Sequence, residues 1–274
     1  SIESKTEEEA VSIVEQAKKS DWQVGAVEET KVKRSARAPF TTSTLQQTAS
    51  SRLGYSPAVT MRLAQRLYEA GQITYMRTDS TTLSQQALGE IAGLVKNKFG
   101  ADYSSPRQYQ TKSKNVQEAH EAIRPTHASS LSAGASPPEK KLYQLIWQRT
   151  GVSQMTDAEV LRTKIIALAS DKKIPEFESA GSHILFDGWL KADPEARGEE
   201  IDLPKLTAGE KLNLLEINSE GKETEPPHRY TEAGLIKELE RRGIGRPSTY
   251  ATILKTIHDR GYVIKENKSL KPTD

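Results

Sequence analysis

The sequence predicts an α+β protein of more than one domain, and three observations predict it. Amphipathic helical stretches fill most of residues 42–154 and 231–260, β-rich runs occupy 157–218 with a further one at 22–33, and one helical unit occurs twice, 190 residues apart. At 274 residues the chain is long enough for two cores, at roughly 150 residues per domain. It has no Cys, which excludes a disulfide framework, a thiol nucleophile and a Cys-ligated metal or iron–sulfur site, and a reducing, intracellular setting fits. No apolar run approaches the roughly 18 residues of a membrane span, and the acidic, amphipathic N-terminus carries no export core.

Each element has a local reason. Residues 6–19 place Ala10, Val11, Ile13, Val14 and Ala17 behind a Thr cap and a Glu-rich first turn, the pattern of an amphipathic helix. Residues 22–33 (WQVGAVEETKVK) read as a strand, and 34–40, with Pro39, as a linker or hinge. A helix from Thr42 or Ser43 to Leu53 is closed by Gly54. A second opens at Ser56-Pro57, carries Val59, Leu63, Ala64 and Leu67 as a core stripe, and is closed by Gly71. Ile73-Thr74-Tyr75-Met76 follows as a short extended segment. Residues 84–99, closed by Gly100, and 137–154 are further helices. The runs RTKIIALA (162–169) and SHILF (182–186), set between Gly, Asp and Pro turns, read as a separate antiparallel β region. After a linker at 223–227, residues 231–242 and 247–260 form a second helix pair, followed by Tyr262-Val263-Ile264.

The two pairs align at an offset of 190: Pro57 with Pro247, Leu63 with Ile253, Leu67 with Ile257, Gly71 with Gly261 and Ile73 with Val263. Helix, turn, second helix, Gly stop and strand is the pattern of a winged helix-turn-helix, whose second helix commonly faces nucleic acid. Net charge is only +2, yet the signs are segregated. Residues 31–68 contain seven basic residues and no acid, 241–262 carry a net +4, and 171–225 a net −7. Basic stretches on both helix pairs suggest an anionic partner such as nucleic acid, although solvated charged faces would look the same.

Three segments hold candidate chemistry. In GQITYMRTDS (71–80), Tyr75 and Arg77 are two apart, so an extended chain would put them on one side. A phenol, with a pKa of about 10, is a weak nucleophile that needs a nearby cation or base, and Arg can also fork a phosphate. A Tyr in such a place is also commonly just packed. In EAHEAIRPTH (118–127), His120 and Arg124 would share a helical face and could reach one phosphate, or the segment could be a salt-bridged short helix; the spacing is not a metal motif. In RYTEAG (229–234) and RGIGRPSTYA (242–251), glycines allow close backbone approach, and a helix N-terminus opening at Pro247 with Ser248, Thr249 and Arg246 could hold a phosphate, or form a tight interhelical turn.

Taken together, PFTTSTLQQ (39–47), LAQRLYEAGQITYMRTDS (63–80), EAHEAIRPT (118–126) and RYTEAGLIKELERRGIGRPSTYATILKTIHDRGYV (229–263) resemble the bacterial type IA DNA topoisomerases over essentially the whole chain. The resemblance implies that Tyr75 is the nucleophile that attacks a backbone phosphate of single-stranded DNA, giving a 5′-phosphotyrosyl link and a free 3′-hydroxyl. It implies that Arg77 orients the scissile phosphate, that His120 assists with Arg124 in support, and that Arg124, Arg229, Thr231, Arg246, Ser248 and Thr249 contact DNA. It further implies a β-rich arch from 1–34 and 157–222, a helical gate domain at 35–156, and a DNA-gripping piece at 223–274, with a catabolite-activator-like winged-helix unit in each helical part. In the family, Mg²⁺ is bound by an N-terminal Toprim domain through a DxDxE cluster. This chain has no DxD triplet, so no metal is expected on it, and it reads as a piece of a longer polypeptide. Such a piece is expected to bind single-stranded DNA, to act on negatively supercoiled DNA only with the Toprim-containing remainder, and to sit in the cytoplasm at the nucleoid.

Two other readings compete. A non-catalytic winged-helix DNA-binding protein accounts for the repeat and the charge but leaves TYMRTDS unexplained. A tyrosine recombinase uses Tyr, Arg and His but forms the opposite, 3′ linkage.

Overall fold

Thr6 opens the first helix, α1 (Glu7–Ala17): its side chain accepts a hydrogen bond from the Glu9 amide, and three glutamates fill the first turn, where the helix dipole favours negative charge. The computed structural model describes residues 4, 6–109 and 120–273, so the first two residues of the EAHEAIRPT string lie outside the described residues. After α1 comes β1 (Trp22–Arg34), which pairs antiparallel with β2 (Ala158–Ala169) along its length, with a bulge between Val24 and Ala26. With β3 (Phe177–Phe186) and β4 (Lys211–Leu212) they form a four-stranded sheet in the order β3-β2-β1-β4. Ala17, Trp22 and Ile174 bury its small core, where Trp22 meets Phe177 edge-on at 5.3 Å and donates its indole N–H to the Ala17 carbonyl at 3.0 Å.

These elements belong to one of two compact units, built from Ser1–Arg34, Asp157–Asp187 and Glu195–Pro226. The other gathers Ser35–Thr156, Gly188–Pro194 and Pro227–Asp274, so the second helix pair groups with the first. Its helices are α2 (Thr42–Leu53), α3 (Pro57–Glu69), α4 (Gln85–Phe99), α5 (Pro137–Ser153), α6 (Glu232–Arg241) and α7 (Tyr250–Asp259), with a hairpin of β5 (Val263–Glu266) and β6 (Ser269–Pro272) after α7. Caps set the helix starts: Thr41, Ser56, Ser84, Ser136 and Thr231 each accept from a backbone N–H of the first turn, and Pro57 and Pro137 occupy first-turn positions whose N–H would be unpaired anyway. Phe40, Leu45, Leu63, Leu67, Ile73, Met76 and Ile123 bury one core with Leu142, Tyr143 and Ile146 of α5.

The internal repeat holds at the level of single hydrogen bonds. Gly71 and Gly261 both have φ +69, and each helix ends identically: Gly71 N–H donates to the Tyr68 carbonyl and Gln72 N–H to Leu67, as Gly261 donates to His258 and Tyr262 to Ile257. The unit also extends further than the sequence comparison reached. Ile123 N–H donates to the Phe40 carbonyl as Leu270 donates to Tyr230, and Thr126 N–H donates to Gln72 as Thr273 donates to Tyr262. Pro125-Thr126 and Pro272-Thr273 are therefore equivalent. In the second copy the return strand is β6 of a short hairpin; in the first, the chain leaves at Ile73, runs through Tyr75 and α4, and returns at Ile123.

Three expectations change here. Residues 73–76 do not form a strand: Ile73 makes one isolated bridge to Pro125, and the chain then bends. Residues 120–127 are not helical, because Ile123 and Pro125 bridge to Phe40 and Ile73, and a residue before Pro is pushed out of the helical region. Regular helix begins at Tyr250 rather than Pro247, since 247–249 form a turn in which the Arg246 carbonyl accepts from both Thr249 and Tyr250.

Candidate active site

Tyr75 sits in a bend clamped from both sides. Thr74 donates its hydroxyl to the Ala122 carbonyl at 2.6 Å, and its backbone N–H donates to the Arg124 carbonyl at 2.9 Å. Beyond it, Thr42 at the start of α2 donates its hydroxyl to the Met76 carbonyl at 2.7 Å and accepts from the Thr78 N–H at 2.9 Å. Met76 between them is 1% exposed and anchors the bend in the core. Its neighbours are thereby turned outward: Tyr75 half-buried, Arg77 exposed.

Tyr75, Arg77 and His120 line one cleft of about 670 Å³, together with Tyr68, Thr78, Asp79, Arg246, Pro247 and Ser248. The rings of Tyr68 and His120 lie 5.3 and 5.4 Å from that of Tyr75, the first edge-on and the second tilted. Arg77 has no hydrogen-bond or ion-pair partner among the described residues, so its fork is available. Arg246 faces it from the turn before α7, with its Nη1 donating to the Gly245 carbonyl at 2.8 Å. Two arginines and a histidine around one carboxylate, Asp79, suit an anionic ligand.

Other named residues stand elsewhere. Arg124 donates twice to one carboxylate oxygen of Glu121, at 2.6 and 3.1 Å, and also donates to the Pro125 carbonyl; its side chain is 15% exposed and does not line the Tyr75 cleft. Thr231 caps α6, accepting from the Gly234 N–H at 3.0 Å. Thr249 closes the turn on Arg246, accepting from its N–H at 2.8 Å, and Arg229 is exposed just ahead of α6. The basic stretches are partly neutralised by distant acids: Arg52 pairs with Asp193 at 2.9 Å and Arg66 with Glu139 at 3.3 Å. Arg241 and Arg242 both bond to Glu238, and these bonds hold its carboxyl down at a pKa of about 2.

Tyr68 was not singled out from sequence. It lies in the last turn of α3, and the reversal at Gly71 folds the emerging chain back against it; no spacing rule marks that contact. Asp79 lies inside the TYMRTDS string but was not singled out either. Among the described residues no group of three or more His, Asp or Glu side chains is placed to hold a metal ion. No helix among the described residues is long and apolar enough to cross a membrane.

A family model described as DNA topoisomerase matches residues 1–274, and the chain belongs to that family. It is similar to DNA topoisomerase 1 of Synechocystis sp. (46% identical over 97% of this chain and 31% of that relative) and of Streptomyces coelicolor (49% over 91% and 28%). The fold is similar to that of full-length topoisomerase I from Thermotoga maritima, with a TM-score of 0.87, 35% identity, and coverage of 100% of this chain and 46% of that one. The chain thus spans about a third of the length of the curated relatives it matches.

Proposed function

We propose that this chain is the nucleophile-bearing part of a type IA DNA topoisomerase, which cuts and rejoins one DNA strand to relax negative supercoils without ATP. The observation that carries the reading is the convergence of Tyr75, His120, Arg77 and Arg246 on one cleft, from segments as far apart as residues 75 and 246. The Tyr75 oxygen attacks a backbone phosphorus, the bond to the 3′-oxygen breaks, and a 5′-phosphotyrosyl ester and a 3′-hydroxyl result. An aryl oxygen is a good leaving group, so the 3′-hydroxyl reverses the step and reseals the strand. Arg77 orients the scissile phosphate and offsets charge in the transition state, His120 hydrogen-bonds at the same centre, and Arg246 and Ser248 hold the adjoining backbone. Arg229, Thr231 and Thr249 follow the strand outward; Arg124, tied to Glu121, supports the segment that carries His120.

In this reading the sheet-containing unit is the arch, residues 35–156 the gate, and 223–274 the DNA-gripping piece, with α2–α3 and α6–α7 as two winged-helix, catabolite-activator-like units. The substrate is single-stranded DNA within negatively supercoiled duplex at the nucleoid. The acid and Mg²⁺ come from a Toprim domain, so the 274 residues assayed alone give little or no plasmid relaxation.

The test is denaturant-trapped adduct formation on single-stranded DNA labelled on either side of the break, with Mg²⁺ and a separately supplied Toprim-containing piece. A 5′-phosphate adduct formed by the chain and lost in Tyr75→Phe is expected. A 3′ adduct would indicate recombinase chemistry, and DNA binding with no adduct in the complemented mixture would leave a binding module.

A further inference from the structure

Arg149, on α5, is used neither by the sequence motifs nor by the Tyr75 cleft. It is only 8% exposed, and its guanidinium stacks on the Phe40 ring, 4.4 Å from the centroid. Among the described residues no hydrogen bond or ion pair holds it. Burial, then the neighbouring Arg37 and Arg52, pull its pKa down to about 10 against partial offsets from Asp193 and Tyr109. Asp193 is itself engaged by Arg52 at 2.9 Å. Among the described residues this buried guanidinium, beside two more arginines, has only a carboxylate shared with Arg52 near it, and such a charge is costly until a partner supplies more.

The side chain opens onto a cleft of about 350 Å³ whose other cations are Arg37 and Lys237, with Thr44 and Gln47 of α2 on the wall; none of the described lining residues is acidic. This cleft shares no lining residue with the one at Tyr75. We propose that it is a second phosphate-binding site, which grips a phosphodiester of a bound DNA strand through Arg37, Arg149 and Lys237. A phosphodiester offers oxygens to a guanidinium fork and an ammonium at once, and the space leaves room for the sugars on either side. The identity of the phosphate as DNA rests on the topoisomerase reading; anion binding by the cleft does not.

The test titrates the 274-residue chain with a short oligothymidylate over a range of salt, and follows the Arg149 Nε–H resonance as inorganic phosphate is added. Arg37 and Lys237 are exposed, so Arg37→Ala and Lys237→Ala are expected to melt as the parent does. Each is expected to weaken oligonucleotide binding several-fold at low salt and to reduce the slope of log K against log salt by about 0.7. The Arg149 signal is expected to shift with phosphate in the parent and not in the double variant. Unchanged affinity and slope in both variants, or an Arg149 signal indifferent to phosphate, overturns the proposal. Because the readout is binding, the adduct assay at Tyr75 fails or succeeds separately: no adduct beside an intact Arg149 response would sink the enzymatic reading alone.

Discussion

Met76 decides where the side chains around it go. Fully buried, with its carbonyl bonded to the Thr42 hydroxyl, it forces Tyr75 and Arg77 on either side of it toward the cleft. The sequence places the two on one side by strand alternation, and the structure reaches that result through a bend. Glu121 shows the same dependence on partners. Burial pushes its carboxyl up, but hydrogen bonds from Ser84 and the charge and bonds of Arg124 outweigh it and hold it below the ordinary value of 4.5. A lowered acid contributes stability that is complete above the unfolded pKa and is lost as pH falls through the folded one. Glu121→Gln is therefore expected to cost about 1–3 kcal/mol at neutral pH, by removing a charge-assisted pair. It should also flatten the decline of the melting temperature below about pH 4.5, measured by thermal melts from pH 7 to 3. Equal acid-side slopes would show that Glu121 is not a source of the acid sensitivity.

At the scale of elements, what is written locally is legible and what closes over distance is not. Helices α2 to α5 follow from caps, prolines and Gly stops lying within a few residues of each end. Strand β6 was not anticipated, because KSLKP carries little hydrophobic alternation and is recognised only by its pairing with β5. The returning segment at Ile123 to Thr126 was hidden for a stronger reason: Ile73, which bridges to Pro125, lies about fifty residues earlier, across an insertion that its copy lacks. The stop glycines can be tested as a pair. A Cβ on Gly71 or Gly261 meets nothing within 4 Å, so the only penalty for alanine is the left-handed backbone, about 1–2 kcal/mol. Gly71→Ala and Gly261→Ala should each lower the melting temperature by a few degrees and by similar amounts; a much larger loss for Gly71→Ala would mean that the reversal also braces the Tyr75 bend.

For the whole molecule, two compact units are threaded from interleaved segments, and charges that look like runs along the chain are redistributed among them. The basic stretch at 31–68 leaves Lys31, Lys33 and Arg34 on β1 in one unit and Arg37, Arg52, Arg62 and Arg66 in the other. DNA affinity should therefore follow which cations stay unpaired rather than net charge. Arg246→Ala is expected to reduce the salt slope of oligonucleotide binding by about 0.7 with little change in melting temperature, while Arg124→Ala lowers the melting temperature with the slope retained. Equal effects of the two on binding would show that Arg124 reaches the strand.

By itself the sequence determined the helices, their caps and stops, the β-rich region, the doubled unit and the family, because these rest on interactions between residues a few positions apart or on long ordered strings. Only the tertiary structure decided that Arg246 shares the Tyr75 cleft and that Arg149 lies buried beside Arg37 and Arg52. The contacts that decide such matters close over large separations, as with Arg52 and Asp193, 141 residues apart, and no local pattern records which cation meets which acid.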